Sequence, residues 1–232
     1  MRFLKPLFFA VLAGSVLTAC HSHKACCSAG PGSWTVLFDG TSTDAFRGYK
    51  TDGFPTNNWK VVDGTLTSFR GGKHPTDLLT KEQYESFELE CEWKISDGGN
   101  SGVIYRVAEE GDHSYMTGPE MQVLDDSKHH DGQNAKTSAG ALYALIAPTH
   151  KHLNPVGEWN KLRLLVNGNH VEHWLNGKKI VEYEWGSPEV KELIAKSKFS
   201  KWPGFMTKSK GYIAFQFHGD VVSFRNIRIR RL

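Results

Sequence analysis

The chain has 232 residues, 39 % of them hydrophobic and 12 % aromatic, enough apolar material for one large core in a single domain. Its 28 Lys and Arg against 25 Asp and Glu give a formal charge of +3, and two of the basic residues, Arg2 and Lys5, sit at the start of the chain. No Lys/Arg cluster interleaves with aromatics in the remainder, so the electrostatic footprint of nucleic-acid binding is missing and no nucleic acid is expected as a partner.

Arg2 and Lys5 lead into an apolar run from Pro6 to Val16 that is too short to span a bilayer and ends in small residues. Residues 1–19 therefore read as an export signal. The run closes in Leu17-Thr18-Ala19-Cys20, which resembles the lipobox of bacterial lipoproteins, where cleavage precedes the cysteine and the thiol receives a diacylglycerol. Cys20 is accordingly expected to carry lipid and hold the protein to a membrane. Residues 20–33 are rich in Ser, Gly and Pro and form a tether, with Cys26 and Cys27 inside it. His21-Ser22-His23-Lys24 lacks an acidic surface-export run, and His21 is not the Asp that retains lipoproteins at the inner membrane. The expected address is the cell envelope, at the outer membrane facing the periplasm.

From residue 34 onward, Gly, Asp or Asn breaks the chain roughly every 8–12 residues, and the pieces between are rich in Trp, Phe, Tyr, Val and Ile. That punctuation predicts an all-β sandwich occupying residues 34–232. In chain order, the strand candidates are Trp34–Phe38, Trp59–Val62, Thr65–Ser68, Phe87–Ile95, Gly102–Ala108, Met121–Leu124, Ala141–Leu145, Trp159–Val166, His170–Leu175, Lys179–Trp185, Tyr212–His218 and Val221–Arg230. Cys91 lies alone in one of them, where a buried thiol is expected. Asp125 to Ala139 is a long polar connection without periodicity, of the kind that serves a site. Asn176-Gly177 between apolar alternations predicts a tight hairpin. One short helix is expected, Pro188 to Lys198, with Ser187 as N-cap and Val190, Leu193 and Ile194 on its apolar face.

Alternate residues of a half-buried strand share a face. In Tyr212 to His218 the core set is Ile213, Phe215 and Phe217, which leaves Tyr212, Gln216 and His218 opposite. The same parity groups Asn100 with Arg106, and Glu120 with Gln122, and puts Tyr143 opposite Leu142. If these strands are neighbours, one concave face collects Arg106, Glu120, Gln122, Tyr143, Gln216 and His218. Amides, a guanidinium, a carboxylate and a phenol can satisfy several sugar hydroxyls, and an aromatic face packs on pyranose C–H groups. The turns around Trp159-Asn160, Asn176-Gly177 and Arg225-Asn226 read as structural.

Leu37-Phe38-Asp39-Gly40, Asn100-Ser101-Gly102, Glu120-Met121-Gln122-Val123-Leu124-Asp125, Gly140-Ala141-Leu142-Tyr143, Gly157-Glu158-Trp159-Asn160, Trp174-Leu175-Asn176-Gly177 and Phe224-Arg225-Asn226-Ile227 occur in the order seen in the 3-keto-disaccharide hydrolase family, which this chain resembles from Trp34 to Leu232. The resemblance implies a concanavalin-like β-sandwich, a jelly roll of antiparallel strands, and cleavage of glycosides whose glucose unit carries a ketone at C3. Where that family usually shows Gln-Asp-His-Gly, this chain has Gln216-Phe217-His218-Gly219; parity turns Phe217 to the core and keeps Gln216 and His218 in place, and the role of that carboxylate is left open.

A C3 ketone acidifies the C2 proton, so a base can remove it, the enediolate can expel the C1 aglycone, and water can add back. The expected catalytic residues are His218 or Glu120 as base and Arg106, with Gln122 or Tyr143, on the oxyanion at O3. An imidazole titrates near neutrality unperturbed, whereas Glu120 needs its pKa raised. Asn100, Gln122, Tyr143, Gln216 and Asp125 are the expected substrate-binding residues, with a carbohydrate as the partner. No cofactor is required, although Asp125, His129 and Glu120 are conceivable ligands for a divalent metal. Two alternatives use the same face: a non-catalytic lectin, and a conventional glycosidase, which needs two carboxylates at a defined separation where only Glu120 sits convincingly.

Overall fold

Period-two alternation governs the core of the fold, and β-strands put it into three dimensions by turning every second side chain inward. The computed structural model describes residues 1, 32–71 and 74–232. The export segment, Cys20, Cys26 and Cys27 lie outside the described residues. In chain order the elements are β1 (Thr35–Phe38), β2 (Phe46–Gly48), β3 (Trp59–Val62), β4 (Thr65–Ser68), β5 (Leu78–Thr80), β6 (Phe87–Ile95), β7 (Asn100–Val107), β8 (Glu120–Leu124), β9 (Asn160–Asn167), β10 (His170–Leu175), β11 (Lys178–Glu184), α1 (Pro188–Ala195), β12 (Tyr212–Phe215) and β13 (Val222–Arg231).

The strands form two antiparallel sheets. The larger runs β11-β10-β9-β6-β13-β4-β3, with β1 also paired to β13, and the smaller runs β2-β5-β12-β7-β8. Their inner faces meet through Phe215 of β12 and Phe224 of β13, whose rings lie edge to face with centroids 4.9 Å apart. In β6, Phe87, Leu89, Cys91, Trp93 and Ile95 are buried, and Cys91 is a free thiol whose pKa burial pushes up. The intervening glutamates face the other way and pair with arginines of β13: Glu90 with Arg228 at 2.6 Å and Glu92 with Arg225 at 2.7 Å. The architecture is an all-β sandwich of the jelly-roll kind, as expected.

Several local expectations change. Ala141–Leu145 is not a strand. Leu142 makes isolated bridges to Met121 and Ile146, and Ala144 turns the chain at φ 60°. β12 stops at Phe215, and the three-residue strands β2 and β5 carry too few residues for periodicity to reveal them. The helix begins as expected, with the Ser187 hydroxyl accepting from Val190 N–H at 3.3 Å, but ends at Ala195. A separate 3-10 turn, Lys198–Lys201, follows under a Ser197 cap. Asn176 (φ 48°) and Gly177 (φ 80°) form the expected tight hairpin turn.

One buried network positions the loop that carries Tyr143. His173 Nδ1 lies 3.1 Å from Gly140 O, which can only accept, so Nε2 is left to accept from the Tyr105 hydroxyl at 2.9 Å. Burial lowers the His173 pKa to about 4, so it holds this loop as a neutral imidazole.

Candidate active site

The smaller sheet turns its outer face into a pocket, and strand register decides what lines it. Ala214 pairs with Ile104, which pairs with Glu120; one row along, the Gln216 amide donates to Gly102 O at 2.9 Å, and Gly102 pairs with Gln122. Gln216 and Gln122 thus flank a glycine. The missing side chain leaves room for the Glu120 carboxylate, which lies over Gly102 so closely that a Cβ there would collide with it. Asn100 and His218 extend the floor.

The walls come from three connections. Tyr143 donates its hydroxyl to Asp131 Oδ2 at 3.1 Å, which joins its loop to the 125–139 segment. The 3-10 turn after α1 supplies Lys198, Phe199 and Trp202, with Lys198 Nζ 4.4 Å from the centre of the Tyr143 ring. A short 3-10 helix, Ser114–Met116, supplies Tyr115, whose ring lies 5.5 Å from that of Trp202. The pocket, open to solvent on one side, has a volume of about 250 Å³.

The pocket is rich in acceptors that lack donors. Oδ1 of Asn100 and Oε1 of Gln122 and Gln216 are buried without a partner among the described residues. Each such orphan costs about 1–3 kcal/mol, and a donor-bearing ligand restores the loss. The Gln122 amide is fixed by Nε2 donating to Thr137 O at 3.2 Å. Glu120 is 7 % exposed, and burial is the main force raising its pKa to about 8. Lys198 and a Gln216 hydrogen bond act the other way, while Asp77 and Asp131 add to the rise. At neutral pH this carboxyl is mostly protonated, and once ionised it is a strong base.

Six of the expected residues therefore meet: Asn100, Glu120, Gln122, Tyr143, Gln216 and His218. Arg106 does not, and its assignment to the oxyanion is corrected. The β7–β12 register slips between Tyr212 and Ala214, and Arg106 adopts φ 52°, so strand parity fails at that position. Its guanidinium donates to Glu85 O at 3.0 Å and Gly168 O at 2.7 Å and stacks 4.5 Å over Trp185, a structural clamp remote from the pocket.

Asp125 is likewise corrected as a substrate contact. Its carboxylate accepts from Gly98 N–H at 2.7 Å and Ser127 N–H at 2.9 Å, and it lines a separate depression beside Trp93 and Ile95. With that carboxylate committed to its own loop, Asp125, His129 and Glu120 do not form a ligand set. His129 instead groups with His130 and Asp131 behind Asn100, its Nε2 3.4 Å from Asn100 Nδ2. Its ring is 6.2 Å from that of His218, and burial lowers its pKa.

Lys198, Trp202, Tyr115 and Asp77 are the residues that strand parity could not find, since none lies on a pocket strand. Asp77 reaches the Phe217 segment from outside the pocket strands. Its Oδ1 accepts from Phe217 N–H at 2.8 Å, and its Oδ2 takes the Ser114 hydroxyl. A half-buried carboxylate from before β5 thus sits beside the Gln216–His218 segment, its pKa raised chiefly by loss of solvent around it and held back by those two bonds.

Residues 33–230 match the family model described as the 3-keto-alpha-glucoside-1,2-lyase-like domain. A 3-keto-disaccharide hydrolase from Bacteroides thetaiotaomicron is 34 % identical over 228 residues, covering 86 % of this chain and 78 % of that protein. The crystal structure of a proposed glycosyl hydrolase from Parabacteroides distasonis superposes with a TM-score of 0.79 at 32 % identity, covering 86 % of this chain and 94 % of that one. A GH16 endo-beta-1,3(4)-glucanase (TM-score 0.52, 12 % identity, 87 % of this chain and 92 % of that one) shares the fold alone.

Proposed function

The chain belongs to the family of 3-keto-alpha-glucoside-1,2-lyase-like domains, and from that premise we propose that its pocket cleaves glycosides whose glucose unit carries a ketone at C3. The observation that carries this reading is the pairing of a buried, hard-to-ionise Glu120 with three orphan amide oxygens in one small cavity. The amides suit the hydroxyls of a sugar ring, and Glu120 suits the removal of a carbon-bound proton.

In this account the Glu120 carboxylate takes the C2 proton, and the electrons move toward O3 to give an enediolate. Lys198, at the pocket wall, takes the oxyanion role once expected of Arg106. The enediolate expels the C1 oxygen substituent, which leaves with a proton from His218, and a C1=C2 bond forms. Water then adds at C1 while a proton returns to C2, giving 3-keto-glucose. Burial gives Glu120 a basicity that a solvated carboxylate lacks, so it is preferred over His218 as the base. Among the described residues no second carboxylate lines this pocket, which disfavours conventional glycoside hydrolysis.

The test is product formation from methyl 3-keto-glucoside set against methyl glucoside. The reading expects 3-keto-glucose from the first and no turnover of the second. Binding of both without turnover makes the protein a lectin. We also propose that the protein is exported, lipid-anchored through Cys20 and placed in the cell envelope, a reading that the lipobox-like Leu17-Thr18-Ala19-Cys20 supports.

A further inference from the structure

His218 is an exposed residue of the pocket, so little packing fixes its imidazole and the backbone on either side of it decides where the ring stands. One end of that backbone is held by a side chain from before β5. Resting on the reading above, we infer that Asp77 is a positioning residue of the reaction: its carboxylate ties the backbone at Phe217 to Ser114 and so holds His218 where it gives its proton to the departing C1 oxygen.

Strand register explains why a side chain is needed there. β5 and β12 pair at Leu79 with Ala214 and at Leu78 with Phe215, and the pairing ends with that second pair. Gln216 is still held by β7: its N–H donates to Gly102 O at 2.9 Å, and its carbonyl accepts the Ser101 hydroxyl at 2.8 Å. Phe217 is the next residue along, and its N–H turns to Asp77 Oδ1 at 2.8 Å. The carboxylate thus takes over where the backbone ladder stops. Beyond His218 the chain is anchored again at Asp220, whose Oδ2 accepts from Asn100 N–H at 3.1 Å and whose carbonyl accepts the Ser68 hydroxyl at 2.7 Å. His218 stands between these two anchors, with Gly219 at φ 95° turning the chain after it.

The second Asp77 oxygen reaches another wall. Oδ2 accepts the hydroxyl of Ser114, a fully buried residue that opens the 3-10 helix carrying Tyr115. Tyr115 lines the pocket together with His218, so one carboxylate sets the position of both. The Asp77 carbonyl accepts from Tyr49 N–H at 3.0 Å, which fixes the aspartate's own backbone. Asp77 does not line the pocket itself and acts through the residues it holds. Removing its carboxylate leaves Phe217 N–H and the Ser114 hydroxyl without their acceptor, and a shift of about 1 Å in a proton donor costs about 100-fold in rate. An amide of the same shape keeps both ties, because Oδ1 of an asparagine accepts from Phe217 N–H while Nδ2 donates to Ser114 Oγ.

The experiment uses the full chain and two substrates that differ in their need for a proton. Methoxide leaves only when protonated, whereas nitrophenoxide leaves unaided near neutral pH. Wild type, Asp77→Ala and Asp77→Asn are compared on methyl and nitrophenyl 3-keto-glucosides, below the melting temperature of each. Asp77→Ala is expected to lower kcat on the methyl substrate about 20-fold or more with KM nearly unchanged, and on the nitrophenyl substrate by no more than about threefold. Asp77→Asn is expected to stay within about threefold of wild type on both. If Asp77→Ala does not fold, Ser114→Ala loosens the same tie with a smaller change and is expected to show the same contrast, about fivefold on the methyl substrate alone. Equal losses on the two substrates overturn the proposal, since a residue of the fold alone lowers both together. An Asp77→Asn as slow as Asp77→Ala on the methyl substrate overturns it too. A wild type that turns over neither substrate instead overturns the reading on which the proposal rests, and the proposal with it.

Discussion

The Glu120 carboxylate lies across the backbone of Gly102, in space that any larger residue would occupy. This contact sets the height of the base above the pocket floor. Gly102→Ala is expected to displace the carboxylate and lower kcat/KM by at least tenfold, with an overpacking cost of about 1–3 kcal/mol. Steady-state kinetics on methyl 3-keto-glucoside beside a melting curve checks it, and unchanged kcat/KM in Gly102→Ala removes Glu120 from the reaction.

The pH dependence of stability follows from the same residue. Glu120 has a folded pKa of about 8 against an ordinary value of 4.5, so the folded state keeps a proton that the unfolded state loses across that interval. Its contribution is complete below about pH 4.5 and is lost as pH rises through 8, a swing with a ceiling of about 5 kcal/mol. Glu120→Gln has no such proton. Its melting temperature is expected to gain on the wild type between about pH 5 and pH 8, a gap that thermal melts at several pH values measure directly. Wild-type kcat/KM is expected to rise with pH through about 8 as the base ionises, with Glu120→Gln abolishing turnover.

Lys198 is exposed, yet its ammonium stands over the Tyr143 ring and acts on Glu120. Lys198→Met is expected to lower kcat about 10- to 100-fold with little change in KM, because the charge it answers develops in the transition state. A rise in KM alone would make Lys198 a binding residue.

Arg106 predicts the opposite pattern. It is 2 % exposed and holds two backbone carbonyls while stacking on Trp185. Arg106→Met is expected to destabilise the fold by about 2–4 kcal/mol through the unsatisfied carbonyls. Denaturant unfolding and the kcat/KM of the folded fraction separate the two effects, and a catalytic loss without a stability loss returns Arg106 to the mechanism.

Strand parity made the floor of the pocket legible in the sequence. Glu120, Gln122 and Gln216 follow a period of two and fall where alternation puts them, and the sandwich and the Ser187-capped helix were legible for the same local reasons. Arg106 was misplaced because a single left-handed residue in a bulge breaks the period, and no side-chain pattern announces it. Asp125 was misplaced because a carboxylate at a strand end satisfies its own loop as readily as a ligand. Tyr115, Lys198 and Trp202 reach the pocket from loops, where tertiary contacts alone decide position, and Asp77 is brought to Phe217 from 140 residues away.

The most direct test of the central claim is deuterium incorporation. Methyl 3-keto-glucoside is incubated with the protein in heavy water, and C2 of the first-formed product is read by mass spectrometry and NMR against an enzyme-free control of 3-keto-glucose. C2 proton abstraction followed by elimination and hydration predicts one deuterium at C2 from the earliest turnover, lost with Glu120→Gln. Product formed with hydrogen retained at C2 would contradict it and would mean direct displacement at C1.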